Sequence, residues 1–169
     1  MKKVILFIVL FILALIAPVT CVVKSIQFKQ DCSGYLKQAA DANSPELALS
    51  RLNKAIEYIE ANHLTQGYTS VLWRTEDENI GFWYENIKTC QSELASCLEG
   101  TQLEKSNVLM KVRESLTDDS KDGAVLTIPD GISRYPNNLE YGLWMWISCI
   151  VLTFCIGYFA CYAAEEDWI

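Results

Sequence analysis

LWMWISCIVLTFCIGYFACYAA, from Leu143 to Ala164, contains no Asp, Glu, Lys, Arg or Pro. At helical rise this run reaches roughly 33 Å, enough to cross a hydrocarbon core of about 30 Å. Aromatic residues suited to a lipid–water boundary flank it: Tyr141, Trp144 and Trp146 on one side, Tyr158, Tyr162 and Trp168 on the other. The competing reading is a buried core helix of a soluble protein, but such helices rarely run so long without charge. The sequence therefore predicts a transmembrane helix over 142–164, and everything upstream is placed relative to it.

Within that helix Cys149, Thr153, Gly157 and Cys161 recur every fourth residue and form a stripe of small side chains. In lipid, apolar burial gives little drive to helix association, so small residues matter because they let backbones approach. The stripe predicts packing against another transmembrane helix, of the same chain or of another protein. Cys161, near the cytoplasmic end, is also a position where a palmitoyl group could be attached.

At the other end Met1-Lys2-Lys3 precedes an apolar run from Val4 to Val23, interrupted mainly by Pro18 and Thr20. A short basic segment followed by a Leu/Ile/Phe core fits a secretory signal, with Val19-Thr20-Cys21 as the cleavage region. An uncleaved anchor over 1–23 fits equally well, because the run is just long enough to span. Either way the two lysines hold the start of the chain in the cytoplasm and residues 24–141 are exported. The second span returns the acidic tail 165–169 to the cytoplasm. Lys24 and Lys29, just beyond the first run, weaken the charge bias that sets this orientation.

Between the apolar ends, residues 24–117 read as an exported domain of about four helices. Phe28, Cys32, Tyr35, Leu36 and Ala39 stand at helical spacing and could continue the first run as a stalk. Ser44 followed by Pro45 signals a helix start, and Ala48, Leu52, Ala55, Ile56 and Ile59 form its apolar face. Leu64 to Arg74, with Tyr68, Val71, Leu72 and Trp73, forms a short apolar connector. Thr75-Glu76-Asp77-Glu78 and Thr101-Gln102-Leu103-Glu104 both match a capping box. The first is expected to open a helix with Ile80, Trp83, Ile87, Cys90, Leu94 and Cys97 on its seam, the second one with Leu109, Val112 and Leu116 inward. No recurrence appears at the tetratricopeptide period. Residues 118–141 read as a linker with a short β-hairpin, Val125–Ile128 and Ile132–Tyr135 joined at Pro129-Asp130-Gly131. The predicted fold is mainly α: a small exported helical bundle, a short hairpin, then a transmembrane helix.

Few residues invite chemistry. The formal net charge is −7 with no basic run, which argues against nucleic acid as a partner. There is one histidine, His63, and it sits at a helix C-terminus, where a partly charged imidazole is favoured for structural reasons. Asp118, Ser120 and Asp122 before Gly123 have the spacing that opens a calcium loop, but the twelfth position is Pro129 in place of a bidentate Glu. Of the exported cysteines, Cys90 and Cys97 are about 10 Å apart along one helix and cannot bridge each other. Cys32 could bridge either of them in an oxidising compartment, or all three could be buried thiols on apolar stripes. Ile80-Gly81-Phe82-Trp83-Tyr84 is dense in aromatics, and Phe82 and Tyr84 fall off the seam beside an acidic turn, as an interaction surface would. No phosphate loop, nucleophile elbow or zinc-ligand set occurs, and no cofactor is expected. These features favour a non-enzymatic, membrane-anchored interaction or assembly subunit. The alternative is a tethered ligand sensor or binding domain, with calcium at Asp118–Gly123 as one form of it.

Overall fold

The computed structural model describes residues 2–70, 74–120, 123–133 and 139–166. Val71, Leu72 and Trp73 of the connector, Asp122, Tyr135, and Asp167, Trp168 and Ile169 lie outside the described residues, as does the side chain of Tyr141. The chain is mainly helical with one short two-stranded sheet. Its helices are α1 (Lys2–Phe28), α2 (Gly34–Ala40), α3 (Pro45–Ala61), α4 (Ile80–Ser96), α5 (Gln102–Leu116) and α6 (Leu139–Glu166). Two of these stretches are long and apolar enough to cross a membrane: Val4–Ala40, with mean hydropathy 3.1, and Gly142–Ala164, with 2.0.

The first of these stretches is one rod. α1 passes into α2 through a single π-helical segment, Lys29–Ser33, with no break between them. Most of the half-buried or buried positions of α1 fall on two interleaved heptad series, Phe7, Ala14, Cys21, Phe28 and Val4, Phe11, Pro18, Ser25, with Ala17 and Lys24 outside them. This is the spacing of a helix that keeps one seam against neighbours along its whole length. Its lower part runs antiparallel to α6. The Phe7 ring stacks on Tyr158 with centroids 3.8 Å apart, and Phe11 meets Phe159 edge-on at 6.4 Å. The upper part, from Phe28 through Leu36 to Ala40, enters a core shared with α3, α4 and α5.

That core is built as the apolar spacing predicts. Ala48, Leu52, Ala55, Ile56 and Ile59 of α3 are buried, as are Ile80, Trp83, Ile87, Cys90 and Leu94 of α4 and Val112 and Leu116 of α5. Local signals set several helix ends. Ser44 Oγ accepts the Leu47 N–H at 3.3 Å with Pro45 at the first helical position. At Thr101 the capping box is complete: Thr101 Oγ1 accepts the Glu104 N–H and Glu104 Oε2 accepts the Thr101 N–H at 2.7 Å. α3 ends in a Schellman arrangement, with the Leu64 N–H on the Ile59 carbonyl and the His63 N–H on the Glu60 carbonyl. His63 itself occupies the left-handed position that glycine usually fills, φ +57°. It is therefore a helix-terminating residue, in line with the structural reading.

Two sequence expectations are corrected. The box at Thr75 does not open α4. Thr75 donates to Glu78 Oε2 at 2.7 Å within a single 3₁₀ turn, and the cap is Asn79, whose Oδ1 accepts the Phe82 N–H at 3.1 Å. The hairpin also forms elsewhere. Its strands are β1 (Thr117–Ser120) and β2 (Gly123–Leu126), paired from Thr117 opposite Leu126 to Ser120 opposite Gly123. Pro129–Ile132 is a turn with Gly131 at φ +81°, after which Ile132 drops into the core. The earlier strand wins because its exit is tied down: the Thr127 N–H donates to the Leu116 carbonyl at 2.9 Å. The start of the expected linker is therefore part of the packed domain.

Candidate functional site

The 3₁₀ turn before α4, together with the first turn of α4, faces the segment leaving β2 across a cleft of about 740 Å³. One wall carries Glu76, Asp77 and Glu78, and the other carries Asp130 with Asp118 of β1. No Lys or Arg lines it among the described residues. The two walls are held at fixed spacing by the Trp83 indole N–H, which donates to the Thr127 carbonyl at 2.8 Å. Phe82 stands at the rim with 64% of its surface exposed, a large ring presented to solvent beside carboxylates.

The acidic turn is itself held from below. The Thr69 N–H donates to the Glu78 carbonyl at 3.1 Å and the Ile80 N–H to the Gly67 carbonyl at 2.9 Å, so the loop after α3 carries the turn as a rigid lip. A concave surface with five carboxylates and an exposed ring suits a cationic group on an apolar stem, such as a Lys or Arg side chain. Phe82 belongs to this surface. Tyr84 does not: it packs against the core and its hydroxyl donates to Glu60 Oε1 at 2.6 Å, which pushes the phenol up to about 12, with burial adding to the effect.

Of the residues with calcium-loop spacing, Asp122 lies outside the described residues. Asp118 and Ser120 lie in an extended strand, whereas a calcium loop must curl its ligands round an ion. Among the described residues no group of three or more His, Cys, Asp or Glu is placed to hold a metal. Cys32, Cys90 and Cys97 are each buried free thiols. Burial, as the largest influence, holds the Cys90 thiol above its ordinary pKa, which makes it a poor nucleophile.

No protein-family model matches this chain, and no curated protein or solved structure matches it either. The site therefore has to be read from its own chemistry.

The apolar helices carry a second set of features. The face of α6 that meets α1 is centred on Ser148 and Cys155, both buried, with Tyr158 and Phe159 below them. Cys149, Thr153, Gly157 and Cys161 lie on the other side. All four are exposed, and a Cβ added at Gly157 would meet no atom within 4 Å. The small-residue stripe is thus not the contact between the chain's own two apolar helices. The face that makes that contact was legible in the heptad spacing of Phe7, Ala14, Cys21 and Phe28. Asp130 and Thr127, which complete the cleft, carry no local sequence signal because chain folding alone brings them opposite Glu76.

Proposed function

We propose that this protein is a membrane-anchored, non-enzymatic interaction or assembly subunit that holds the α2–α5 domain outside the cytoplasm on a hairpin of two transmembrane helices. The observation that carries the reading is the antiparallel pairing of α1 with α6, two helices whose outward surfaces remain covered with Ile, Leu, Val and Phe. Such surfaces are stable in lipid and a liability in water. The pairing also favours a retained first anchor over a cleaved signal. Removal near Cys21 would strip α6 of Phe7, Phe11 and Ala14 and leave its Ser148–Phe159 face uncovered. With both spans present, the lysines at the start of the chain and the acidic tail share the cytoplasmic side.

In this arrangement the acidic cleft and Phe82 are the recognition surface, and a basic segment of a partner protein is the expected occupant. Sequencing or intact mass of the mature protein tests the anchor: a chain beginning near Cys21 overturns the hairpin. An enzyme reporter active only in the cytoplasm, appended after Ile169, is expected to be active, and a silent one overturns the orientation. For the cleft, partners co-purified in mild detergent are expected to be lost when Phe82→Ala is combined with Glu76→Gln and Asp77→Asn. Retention of every partner would remove the cleft from the proposal.

A second reading, a tethered sensor for a small cationic ligand, draws on the same five carboxylates. Its calcium form, placed at Asp118–Gly123 and not on the cleft carboxylates as a group, predicts a thermal shift between calcium and chelator, and an unchanged transition would exclude it.

A further inference from the structure

β1 and β2 make a sheet of two strands whose edges differ. The Thr127 N–H on the Leu116 carbonyl fixes the alternation of the ladder. Asp118 with Val125 and Ser120 with Gly123 are its hydrogen-bonded pairs, so the backbone groups of Thr117, Asp119, Ala124 and Leu126 point outward from it. On the β1 edge, α5 already engages the first of them. The Thr117 N–H donates to the Arg113 carbonyl as the cap of that helix, and Thr117 Oγ1 donates to the same carbonyl at 2.8 Å. On the β2 edge no backbone group among the described residues takes up Ala124 or Leu126. That edge is open to solvent, with Gly123, Ala124 and Val125 all exposed. Gly123–Leu126 also contains no charge and no proline, residues that keep a free edge from pairing. The edge leads into the acidic cleft, one wall of which runs from Leu126 to Asp130.

We propose that β2 takes a third, extended strand from a partner protein, uncharged where it lies along Ala124 and Leu126 and carrying Lys or Arg where it passes Leu126 into the cleft. The inference rests on the acidic cleft being the recognition surface and specifies the conformation of its occupant. Outward N–H and C=O groups at every second residue are matched by another strand, which repeats at the same interval, and not by a helix, whose backbone groups bond to one another. A two-stranded hairpin is marginal by itself, so a third strand also stabilises the sheet it joins. The cation is selected by charge: Glu76, Asp77, Glu78, Asp118 and Asp130 line the cleft with no Lys or Arg among the described lining residues. A second copy of this chain is a poorer fit, since each copy carries a net charge of −7.

The test uses the full chain in phosphatidylcholine nanodiscs and a fluorescent peptide of alternating Thr and Val with Lys at both ends, its affinity read by anisotropy. Two further peptides carry N-methyl groups on alternate residues, one set along each edge of the strand. Methylation of the edge that pairs should weaken binding about tenfold, and methylation of the other edge should leave it unchanged. Ala124→Pro removes an N–H that makes no bond within the hairpin and should weaken the parent peptide about as much. Glu76→Gln combined with Asp130→Asn should weaken it as well. Equal affinities of the two methylated peptides, or no effect of Ala124→Pro, overturn the added strand. The cleft reading then still stands if the neutralised cleft loses the peptide. No binding of the parent peptide, or binding that the neutralised cleft leaves unchanged, overturns the inference and removes the cleft as a site for basic segments. Dimers of the protein that Ala124→Pro dissolves would also overturn the inference, because the edge would then belong to a second copy.

Discussion

In the proposed arrangement the two halves of the molecule answer to opposite solvents. Around α2–α5, Leu36, Leu52, Ile59, Ile87 and Leu94 are fully buried, and ion pairs such as Lys88–Glu60 and Lys111–Glu93 stand on the outside. Along α1 and α6 the order is reversed: Ile12 and Phe154 point outward, while the contact between the helices holds Ser148, Cys155 and Ala14. Specificity in the domain comes from excluding water from large side chains. In the helix pair it comes from close fit, ring stacking and the few polar atoms, because lipid is as apolar as Leu. The same substitution should therefore have different consequences in the domain and in the helix pair.

The largest contrast is expected for truncation of apolar side chains. Leu52→Ala, at a fully buried site, should cost about 2–5 kcal/mol in denaturant unfolding of the domain. Ile12→Ala, on the outward face of α1, should leave that transition unmoved. Equal effects would break the distinction between the halves. Next is Trp83→Phe, which leaves the Thr127 carbonyl without its indole donor; about 1–3 kcal/mol is expected in the same measurement.

Helix ends give a finer comparison. Asn79→Ala should cost about 1 kcal/mol and Thr75→Ala only a few tenths, since Asn79 is the residue that caps α4. In the helix pair, Gly157→Ala adds a Cβ that meets no atom within 4 Å. It should therefore leave the α1–α6 pairing intact, as read by disulfide trapping between cysteines introduced at Phe7 and Tyr158. Any loss of association in vesicles would then report on a partner at the small-residue stripe.

The smallest effects are pH-dependent and confined to the water side. Glu104 accepts the Thr101 N–H, which holds its carboxyl below the ordinary value. This contribution is present above the ordinary carboxylate range and is lost as pH falls through the lowered value. Glu104→Gln should flatten the acid limb of a stability–pH curve. Tyr84 runs the other way. Its neutral phenol donates to Glu60 and its pKa is pushed up to about 12, so its contribution is full below the ordinary tyrosine pKa of about 10 and fades as pH rises towards 12. Tyr84→Phe should remove that alkaline limb.

What was legible in the sequence depended on how local its cause is. Ser44–Pro45 and Thr101–Glu104 are complete within one turn, and both form as read. Thr75–Glu78 has the same letters but loses to Asn79, which stands directly before the first buried residue, Ile80. The apolar faces of α3, α4 and α5 follow their periodicity because burial of a whole stripe outweighs any single residue. Strand pairing does not follow local signals: β2 takes β1 as partner, and the bonds that pin its exit reach back to Leu116 and Trp83. The cleft was half legible. Phe82 and the acids beside it stand out, but Asp130 is brought opposite only by the turn at Pro129–Ile132.

The π-helical segment Lys29–Ser33 has a geometric consequence. A regular helix advances about 100° per residue, and one wider turn delays that advance by about one residue's worth of rotation. Well below the segment Phe7 and Phe11 face α6, whereas Cys32 within it and Leu36 and Ala40 above it enter the core shared with α3. One helix can thus mesh with two neighbours set at different azimuths. The register of the membrane half against the water half is therefore stored in a single residue of chain length, and deleting one residue between Lys29 and Ser33 would force the rod to choose between α6 and α3.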